Sequence, residues 1–229
     1  MTQDAMSAHI APFLDLLDER SASEVERLGG RRRYRAASAV MVEGDAAGRI
    51  GIVRSGLVKL VASHPDGHEA VLGVRGVGDL VGELSLFDSG PRSASVITLV
   101  PSEVQVVDGQ EFVELVAARP SVAMAVIRTL TGRLRSSDED RLFLGADGVS
   151  RRLARELLQL SETFGVVRED GAIDIDLPFS QDDLAAVVGA SRDAVARALR
   201  TWRDQGLVAT GRRRITLLDP SGLSRRFQF

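Results

Sequence analysis

The feature that most constrains the fold is a change of hydrophobic pattern along the chain. Between Arg33 and Asp108, short runs of Val, Ile and Leu alternate with turns rich in Gly, Asp and Pro. Short strands broken at regular intervals by turn residues are typical of an antiparallel sandwich or roll. The segment His64–Gly67 has the composition of a hairpin tip. We therefore predict an antiparallel β-roll in the N-terminal part of an α+β chain.

Helical periodicity replaces this pattern after the strand region. A long helix is predicted from Pro120 to about Leu144, because proline is tolerated in the first turn of a helix. Leu130, Leu134 and Ser137 fall on one stripe of this helix. A long helix with an apolar seam predicts a dimerisation element, and packing on the sheet of its own chain is the alternative. The segment Gly145–Gly148 is a predicted hinge.

Composition excludes several classes of protein. The chain has 229 residues and no cysteine, which rules out disulfides and thiolate-held metal centres. It contains neither an apolar run of about 18 residues nor a signal-peptide core, so we expect a cytoplasmic protein with no membrane partner. The three histidines, His9, His64 and His68, are not arranged with a nucleophile or a metal-ligand set. We therefore predict no catalytic site, no metal site and no enzymatic activity.

Charge is distributed unevenly along the chain. The segment Ser191–Phe229 holds nine arginines and three acidic residues, whereas the whole chain has a net charge of −3. A basic end on an acidic protein indicates a local site for a polyanion such as a nucleic acid. A solvated charged surface is the alternative.

Two short helices and a strand pair are predicted in this basic end. Ser180 can cap the first helix, Gly189 permits a tight turn, and Ser191 can cap the second helix. This arrangement predicts a helix-turn-helix followed by a wing. The N-terminal residues of the second helix would meet base edges in a major groove, where arginine can pair with guanine and a carboxylate with cytosine. The predicted DNA contacts are Ser191, Arg192, Asp193, Arg197 and Arg200 on the helix and Arg212 and Arg213 on the wing.

The segment from Ser180 to Leu199 resembles the DNA-binding motif of the cyclic AMP receptor protein/FNR (Crp/Fnr) family. The resemblance implies that Arg192, Asp193 and Arg197 occupy base-reading positions. It also implies a homodimeric transcription regulator that binds double-stranded DNA at a palindromic operator. RNA polymerase is a further candidate partner. The family's best-known members have Glu where this chain has Asp193.

A second motif lies between Gly78 and Ser95. Gly82-Glu83-Leu84 predicts a tight turn whose backbone amides can cradle an anion. Arg92 can add charge-assisted hydrogen bonds to a phosphate, and Ser93 is one more donor. Glu83 suits a hydroxyl group such as a ribose 2′-OH. The run resembles the phosphate-binding cassette of the Crp/Fnr family, which implies a cyclic nucleotide effector, with cAMP favoured. The alternative is a roll turn that binds no ligand.

In cAMP-binding members of this family, two adjacent polar residues of the long helix contact the base. An ungapped alignment puts Ser137 and Asp138 at these places. Asp138 differs from the usual neutral residue. A carboxylate could accept from an exocyclic amine, but its burial near a phosphate is unfavourable. A regulator that needs no ligand, or that uses cGMP or a cyclic dinucleotide, therefore stays open.

The predicted organisation has three parts and no cofactor other than the effector. Residues 1–118 form a cyclic-nucleotide-binding β-roll, residues 119–147 a dimerisation helix and hinge, and residues 148–229 a winged helix-turn-helix. The predicted ligand-binding residues are Gly82, Glu83, Leu84, Arg92, Ser93, Ser137 and Asp138.

Overall fold

The computed structural model describes residues 11–63, 69–142, 146–176, 181–211 and 214–227. These residues divide into two compact units, and the division falls between Leu134 and Arg135. The first part of the long helix therefore groups with the residues that precede it. Within the described ranges, no helix is both long enough and apolar enough to cross a membrane.

The first unit consists of short strands followed by helices. A 3-10 turn at Phe13–Leu16 precedes the helix α1, Glu19–Glu26, whose N-cap Asp18 accepts a hydrogen bond from the Ser21 amide at 2.7 Å. The remaining elements are β1 Gly30–Tyr34, β2 Ala39–Met41, β3 Arg49–Ser55, β4 Val58–Ser63, β5 Glu69–Arg75, β6 Leu80–Val81, α2 Leu84–Phe87, β7 Ser95–Thr98, β8 Ser102–Asp108, α3 Gly109–Ala118 and α4 Pro120–Leu142.

Two antiparallel four-stranded sheets make up the roll. Their strand orders are β1-β8-β3-β6 and β2-β7-β4-β5. An apolar core, which we call the inter-sheet core, joins the two sheets. Its buried members are Val53, Val58, Val81 and Val96, and Val40, Met41 and Leu60 pack against it. The predicted β-roll is thereby confirmed. The predicted hairpin tip at 64–67 lies outside the described residues, although its two strands pair in register up to Ser63 and Glu69.

Helices cover the other face of the first sheet. Ile50 and Ile52 of β3 pack with Phe112 of α3 and with Val122 and Val126 of α4. All of these side chains are almost completely buried. Burial of this much apolar surface, worth about 25 cal/mol per Å², is what holds short strands and helices together.

The helix α4 has two apolar faces. Val126 and Leu130 pack on the core of their own chain, whereas Ile127 and Leu134 are exposed. Leu130, Leu134 and Ser137 all lie in this helix at the predicted i, i+4, i+7 spacing, and the pairing of this stripe with a second copy stays a prediction. Leu130 lies four residues after the inward-facing Val126 and is partly buried against the core of its own chain. The most exposed apolar side chains of α4 are Met124, Ile127 and Leu134.

The second unit is a helical domain with a small sheet. Its elements are α5 Ala146–Phe164, β9 Gly165–Val167, β10 Ile173–Asp176, α6 Gln181–Val187, α7 Arg192–Asp204, β11 Val208–Gly211, β12 Arg214–Leu217 and α8 Pro220–Phe227. The sheet has the order β11-β12-β10-β9. Trp202 of α7 is buried, and its ring meets that of Phe227 edge to face at 5.7 Å. The arrangement confirms the predicted winged helix-turn-helix.

Some local features differ from the sequence-based expectation. The helix α5 begins at Ala146, so three of the four residues of the predicted hinge are helical, and Gly145 lies outside the described residues. The strand β9 and the helix α8 were not predicted. Val166 and Val167 are largely exposed, so β9 carries no burial pattern that would mark it as a strand.

Candidate anion cradle and nucleic-acid interface

The candidate anion cradle is the turn at Gly82, Glu83 and Leu84 together with Arg92 and Ser93. Gly82 determines the backbone conformation of this turn. Its φ is +75°, a left-handed backbone that side chains disfavour. A Cβ at this position would lie 2.4 Å from Sδ of Met41 and 2.8 Å from Nη1 of Arg92. The left-handed backbone therefore favours glycine here, and a Cβ would also force the ends of the Met41 and Arg92 side chains to shift.

Arg92 is a buried cation, with only 6% of its surface exposed. Its Nη1 donates to the Gly82 carbonyl at 2.5 Å and to Oγ of Ser85 at 2.8 Å, and its Nη2 donates to the Arg49 carbonyl. Burial lowers the pKa of Arg92, while the charges of Asp45 and Glu83 oppose this shift. A guanidinium remains protonated at neutral pH. The Arg92 side chain is therefore permanently charged, and the groups that accept its hydrogen bonds in the cradle are neutral.

Glu83 is the second buried charge of the cradle, at 4% exposure. Its Oε1 accepts from Nη1 of Arg133 at 2.6 Å. Nη2 of Arg133 donates to the Leu80 carbonyl at 2.9 Å and lies 3.6 Å from Oδ1 of Asp79. The structure thus ties the cradle to α4 through Arg133. Sequence reasoning missed this role, although Arg133 falls at helical spacing from the inward residues Val126 and Thr129.

The other predicted ligand residues lie around this pair. Leu84 begins α2 and is half-exposed, and Ser93 is exposed directly after Arg92. The backbone of Arg92 is held by hydrogen bonds to the backbone of Gly44 and Asp45. The structure therefore brings Gly82, Glu83, Leu84, Arg92 and Ser93 together. Ser137 and Asp138 are exposed residues of α4, and their contact with a base stays a prediction.

A cavity of about 270 Å³ borders Arg92. Arg32, Tyr34 and Arg49 line it together with Asp45, so positive groups outnumber the carboxylate. A cavity of this size is close to the lower end of the range for small-molecule sites. It gives the cradle an accessible, net positive surface next to the buried guanidinium.

The helix-turn-helix has the geometry of a DNA reader. Gly189 has a φ of +59° in the turn, and the Ala190 amide donates to the Ala185 carbonyl at 2.9 Å. Ser191 caps α7 by accepting from the Ala194 amide at 3.2 Å. Val195, Ala198, Leu199 and Trp202 form its buried face.

The opposite face of α7 is exposed and carries charge. The predicted DNA contacts Arg192, Asp193, Arg197 and Arg200 all lie there, and Ser191 is exposed at its beginning. A cluster of exposed guanidinium groups on one helix face suits phosphate and guanine contacts. Contact of these residues with DNA stays a prediction.

The wing is the hairpin of β11 and β12. Arg212 and Arg213, predicted at its tip, lie outside the described residues. Arg214, which directly follows the tip, pairs with Asp176 at 2.7 Å, and this pairing raises the pKa of Arg214. Arg203 donates to Oγ1 of Thr210 at 3.1 Å, so it links the end of α7 to the wing. The sequence did not mark this link.

Arg152 of α5 braces the turn of the helix-turn-helix. Its Nε donates to the Val188 carbonyl at 2.7 Å and its Nη2 to the Gly189 carbonyl at 3.2 Å. Carbonyls at the end of a helix such as α6 have no partner within the helix and attract a cation. This contact positions the helix-turn-helix against α5. The sequence did not predict this contact, because Arg151 and Arg152 are adjacent and the sequence does not distinguish which of them faces the turn.

Two family models match the chain. A cyclic nucleotide-binding domain matches residues 31–119, and a Crp-like helix-turn-helix domain matches residues 151–226. The chain is 34% identical over 187 residues to a CRP-like cAMP-activated global transcriptional regulator of Mycobacterium tuberculosis, covering 82% of this chain and 83% of the relative. It is 31% identical over 182 residues to the cyclic AMP receptor protein of Thermus thermophilus, with coverage of 79% and 80%.

Solved structures share the same fold. The c-di-GMP responsive global regulator CLP of Xanthomonas campestris superposes with a TM-score of 0.70 at 26% identity, covering 88% of this chain and 100% of that one. Both family matches fall on the segments whose geometry is described above, the cradle and the helix-turn-helix.

Proposed function

Because this chain belongs to the Crp family of DNA-binding transcription regulators, with a cyclic nucleotide-binding domain, we propose that it is a homodimer gated by a cyclic nucleotide. The Mycobacterium relative is a cAMP-activated transcriptional regulator, and the Thermus relative is a cyclic AMP receptor protein. In this proposal the nucleotide binds at the cradle and changes the affinity of the helix-turn-helix for DNA.

The buried guanidinium of Arg92 is the observation that carries the proposal. It lies against Gly82 and is held by neutral acceptors, two of them backbone carbonyls. A cyclic phosphate would replace such neutral acceptors with an ionised one, and arginine–phosphate hydrogen bonds are among the strong ones in proteins. Because the cation is already oriented, little side-chain entropy would be lost on binding.

In this proposal, Glu83 transmits the binding of the ribose to α4. A ribose hydroxyl that donates to the Glu83 carboxylate would share this acceptor with Arg133, which now bonds it at 2.6 Å. Binding would therefore change the contact that ties α4 to the cradle. A ligand shifts an equilibrium only through different contacts in its two states, and this shared acceptor supplies such a difference.

The outward face of α4 supports a second copy of the chain as partner. Met124, Ile127, Thr131 and Leu134 follow one another at intervals of three, four and three residues, the spacing of a coiled-coil seam. The three apolar members are 46%, 50% and 60% exposed in the single chain. Two-fold symmetry would then require a palindromic operator, with half-sites about one helical turn apart.

DNA recognition is assigned to α7 and the wing. Arg192, Asp193 and Arg197 would meet base edges, with Ser191 and Arg200 beside them. Arg212 and Arg213 would meet phosphates, which position the protein without reading sequence. RNA polymerase stays a candidate partner of the DNA-bound dimer.

The names of the relatives make cAMP the first effector to test. A specific observation favours a second candidate. Asp138 carries a carboxylate where a base contact is predicted, and the structurally similar CLP is a c-di-GMP responsive regulator. A regulator that uses cGMP or a cyclic dinucleotide, or that needs no ligand, is therefore the alternative.

The test uses the full chain and a duplex selected by the protein from a random library. Fluorescence anisotropy would measure its DNA affinity with and without cAMP, cGMP and c-di-GMP. We expect one nucleotide to change the affinity of the native chain, and Arg92→Met to abolish that response. Arg35→Met, a matched change of an exposed arginine, should respond like the native chain. A native chain that binds DNA with equal affinity in every nucleotide would refute gating but not DNA binding.

A further inference from the structure

Two arginines of the first unit line a cavity without a partner of opposite charge. Arg32 of β1 and Arg49, the first residue of β3, border the cavity of about 270 Å³ that Arg92 also lines. Neither the Arg32 nor the Arg49 side chain forms an ion pair or a hydrogen bond with any residue that the structure describes. Tyr34 lines the same cavity, and its hydroxyl likewise has no partner within the described ranges. The cavity therefore has unused hydrogen-bond donors of two kinds.

The strand β1 separates paired arginines from an unpaired one. Successive residues of a strand project from opposite faces of the sheet. On one face, Arg31 pairs with Glu26 and with Glu103. Arg33, on the same face, also pairs with Glu103. Arg32 projects from the other face and lines the cavity, so the arginine without an acidic partner is the one at the cavity.

The charges around the cavity do not balance. The guanidinium groups of Arg32, Arg49 and Arg92 line it together with the carboxylate of Asp45, which gives a net charge of +2. Arginine stays protonated at neutral pH, so this excess of positive charge is permanent. Like charges that line one cavity repel each other, and an anion bound between them replaces that repulsion with attraction.

The apolar part of the lining and the volume determine the size of the occupant. Val40, Met41 and Val106 line the cavity beside the charged groups. A volume of about 270 Å³ has room for about nine water-sized groups at roughly 30 Å³ each. A phosphate group with a chain of three carbons fills this space, whereas a complete nucleotide is too large for it. The carbon chain packs on the apolar side chains while the phosphate takes the donors.

We propose that this cavity is a second anion site, which binds a small phosphate monoester independently of the nucleotide. Arg32 and Arg49 bind the phosphate oxygens, with Tyr34 as a further donor. The planar guanidinium fork matches phosphate geometry. A phosphate monoester carries close to two negative charges at neutral pH, so its charge matches that of the cavity. Apart from Arg92, none of the cradle residues lines the cavity, so the two sites are distinct.

Isothermal titration of the full-length chain with glycerol 3-phosphate, in the absence of nucleotide, tests this inference. We expect saturable binding at one site per chain. Arg32→Met and Arg49→Met should each weaken binding by about tenfold, the loss that corresponds to one hydrogen bond to a charged group. Both arginines are exposed, so their replacement should leave the fold intact.

Arg33→Met is the matched control. It removes the same charge from the same strand, but from the opposite face, and its ion pair with Glu103 is on the surface. The variant should keep the native affinity for glycerol 3-phosphate. An equal loss of affinity in Arg33→Met and Arg32→Met would show general charge attraction instead of a site, and would overturn the inference.

Glycerate tests the chemical class of the ligand, because it keeps the three carbons but carries a single carboxylate instead of the phosphate. It should bind about tenfold more weakly than glycerol 3-phosphate, since it offers one negative charge less. Equal affinities for the two compounds overturn the assignment to a phosphate monoester.

The remaining outcomes separate this inference from the proposed function. A native chain that does not bind glycerol 3-phosphate rejects the second anion site. Loss of binding in Arg92→Met, with native affinity in Arg32→Met and Arg49→Met, places the ester at the cradle and also rejects it. Because no nucleotide is present in these titrations, none of these results decides nucleotide gating. Failure of gating, in turn, leaves the expected binding of the ester unchanged.

Discussion

Arg133 and Glu83 form a buried ion pair, with 2.6 Å between Nη1 and Oε1, although 50 residues separate them along the chain. Removing one partner of such a pair leaves an uncompensated buried charge, at a cost of about 3–5 kcal/mol. We expect Arg133→Leu to lower the free energy of unfolding of the first unit by this amount. Chemical denaturation followed by circular dichroism would measure it.

A double-mutant cycle isolates the pair. Adding Glu83→Gln to Arg133→Leu should recover most of the lost stability, because no unpaired charge is then buried. Arg31→Leu is the control, since Arg31 pairs with Glu26 on an exposed surface and should change stability little. Strict additivity of the two single changes would show that Arg133 and Glu83 do not interact.

Replacing Gly82 should destabilise the protein more than replacing another glycine that has a left-handed backbone. Gly82→Ala places a Cβ 2.4 Å from Sδ of Met41, while Gly44, with a φ of +82°, has open space around it. We expect Gly44→Ala to cost only the left-handed backbone penalty of about 1–2 kcal/mol, and Gly82→Ala to cost more. Thermal denaturation of both variants checks this difference. Equal destabilisation would mean that Met41 and Arg92 move aside without cost.

The ion pair between Glu24 and Arg119 predicts a pH dependence. Hydrogen bonds from Arg119 lower the pKa of Glu24 below its ordinary value of 4.5. A carboxyl group with a lowered pKa in the folded state stabilises the protein above the unfolded value. That contribution is lost as the pH falls through the folded pKa. Glu24→Gln should therefore show a smaller loss of stability than the native chain as the pH falls below about 4.5.

Chemical denaturation at a series of pH values between neutral and acidic would measure this effect. Glu162→Gln, a change of an exposed carboxylate in the second unit, is the comparison. Parallel stability curves for the native chain and Glu24→Gln would contradict the assigned role of Arg119.

The outward seam of α4 predicts the oligomeric state. Ile127→Asp and Leu134→Asp should each convert a dimer to monomers, because a carboxylate would be buried against the same position of the second copy. Analytical ultracentrifugation would measure the mass. Val166→Asp removes an exposed valine from β9 and should leave the mass unchanged. A native chain that sediments as a monomer would reject the homodimer.

Arg197 should contribute sequence specificity and not only charge. Arg197→Ala is expected to weaken binding to the selected duplex by about 1–3 kcal/mol and to relax base preference at one position of each half-site. Arg225→Ala in α8 removes the same charge from the same unit. It should weaken binding to all duplexes equally or not at all. Competition with duplexes that carry single base changes would distinguish the two effects, and an equal loss on every duplex would assign Arg197 to phosphate contact.

Local sequence patterns determined the secondary structure and the class of fold. The alternation of strands and turns before Asp108 and the helical spacing after it specify faces of single elements, which depend on neighbours two to four residues away. Caps and turns are local for the same reason, so Ser191 and Gly189 were found in their predicted places. The cassette that contains Gly82 and Arg92 was likewise readable as a contiguous motif.

Tertiary structure alone decided which residues meet across long distances in the chain. The helix α4 has two apolar faces, and only its contacts with β3 determine that Leu130 turns inward while Leu134 stays exposed. The partnership of Arg133 with Glu83 and the meeting of Arg32 and Arg49 at one cavity arise in the same way. Periodicity specifies faces but not the partner of each face, because that choice depends on packing and charge between residues remote in sequence.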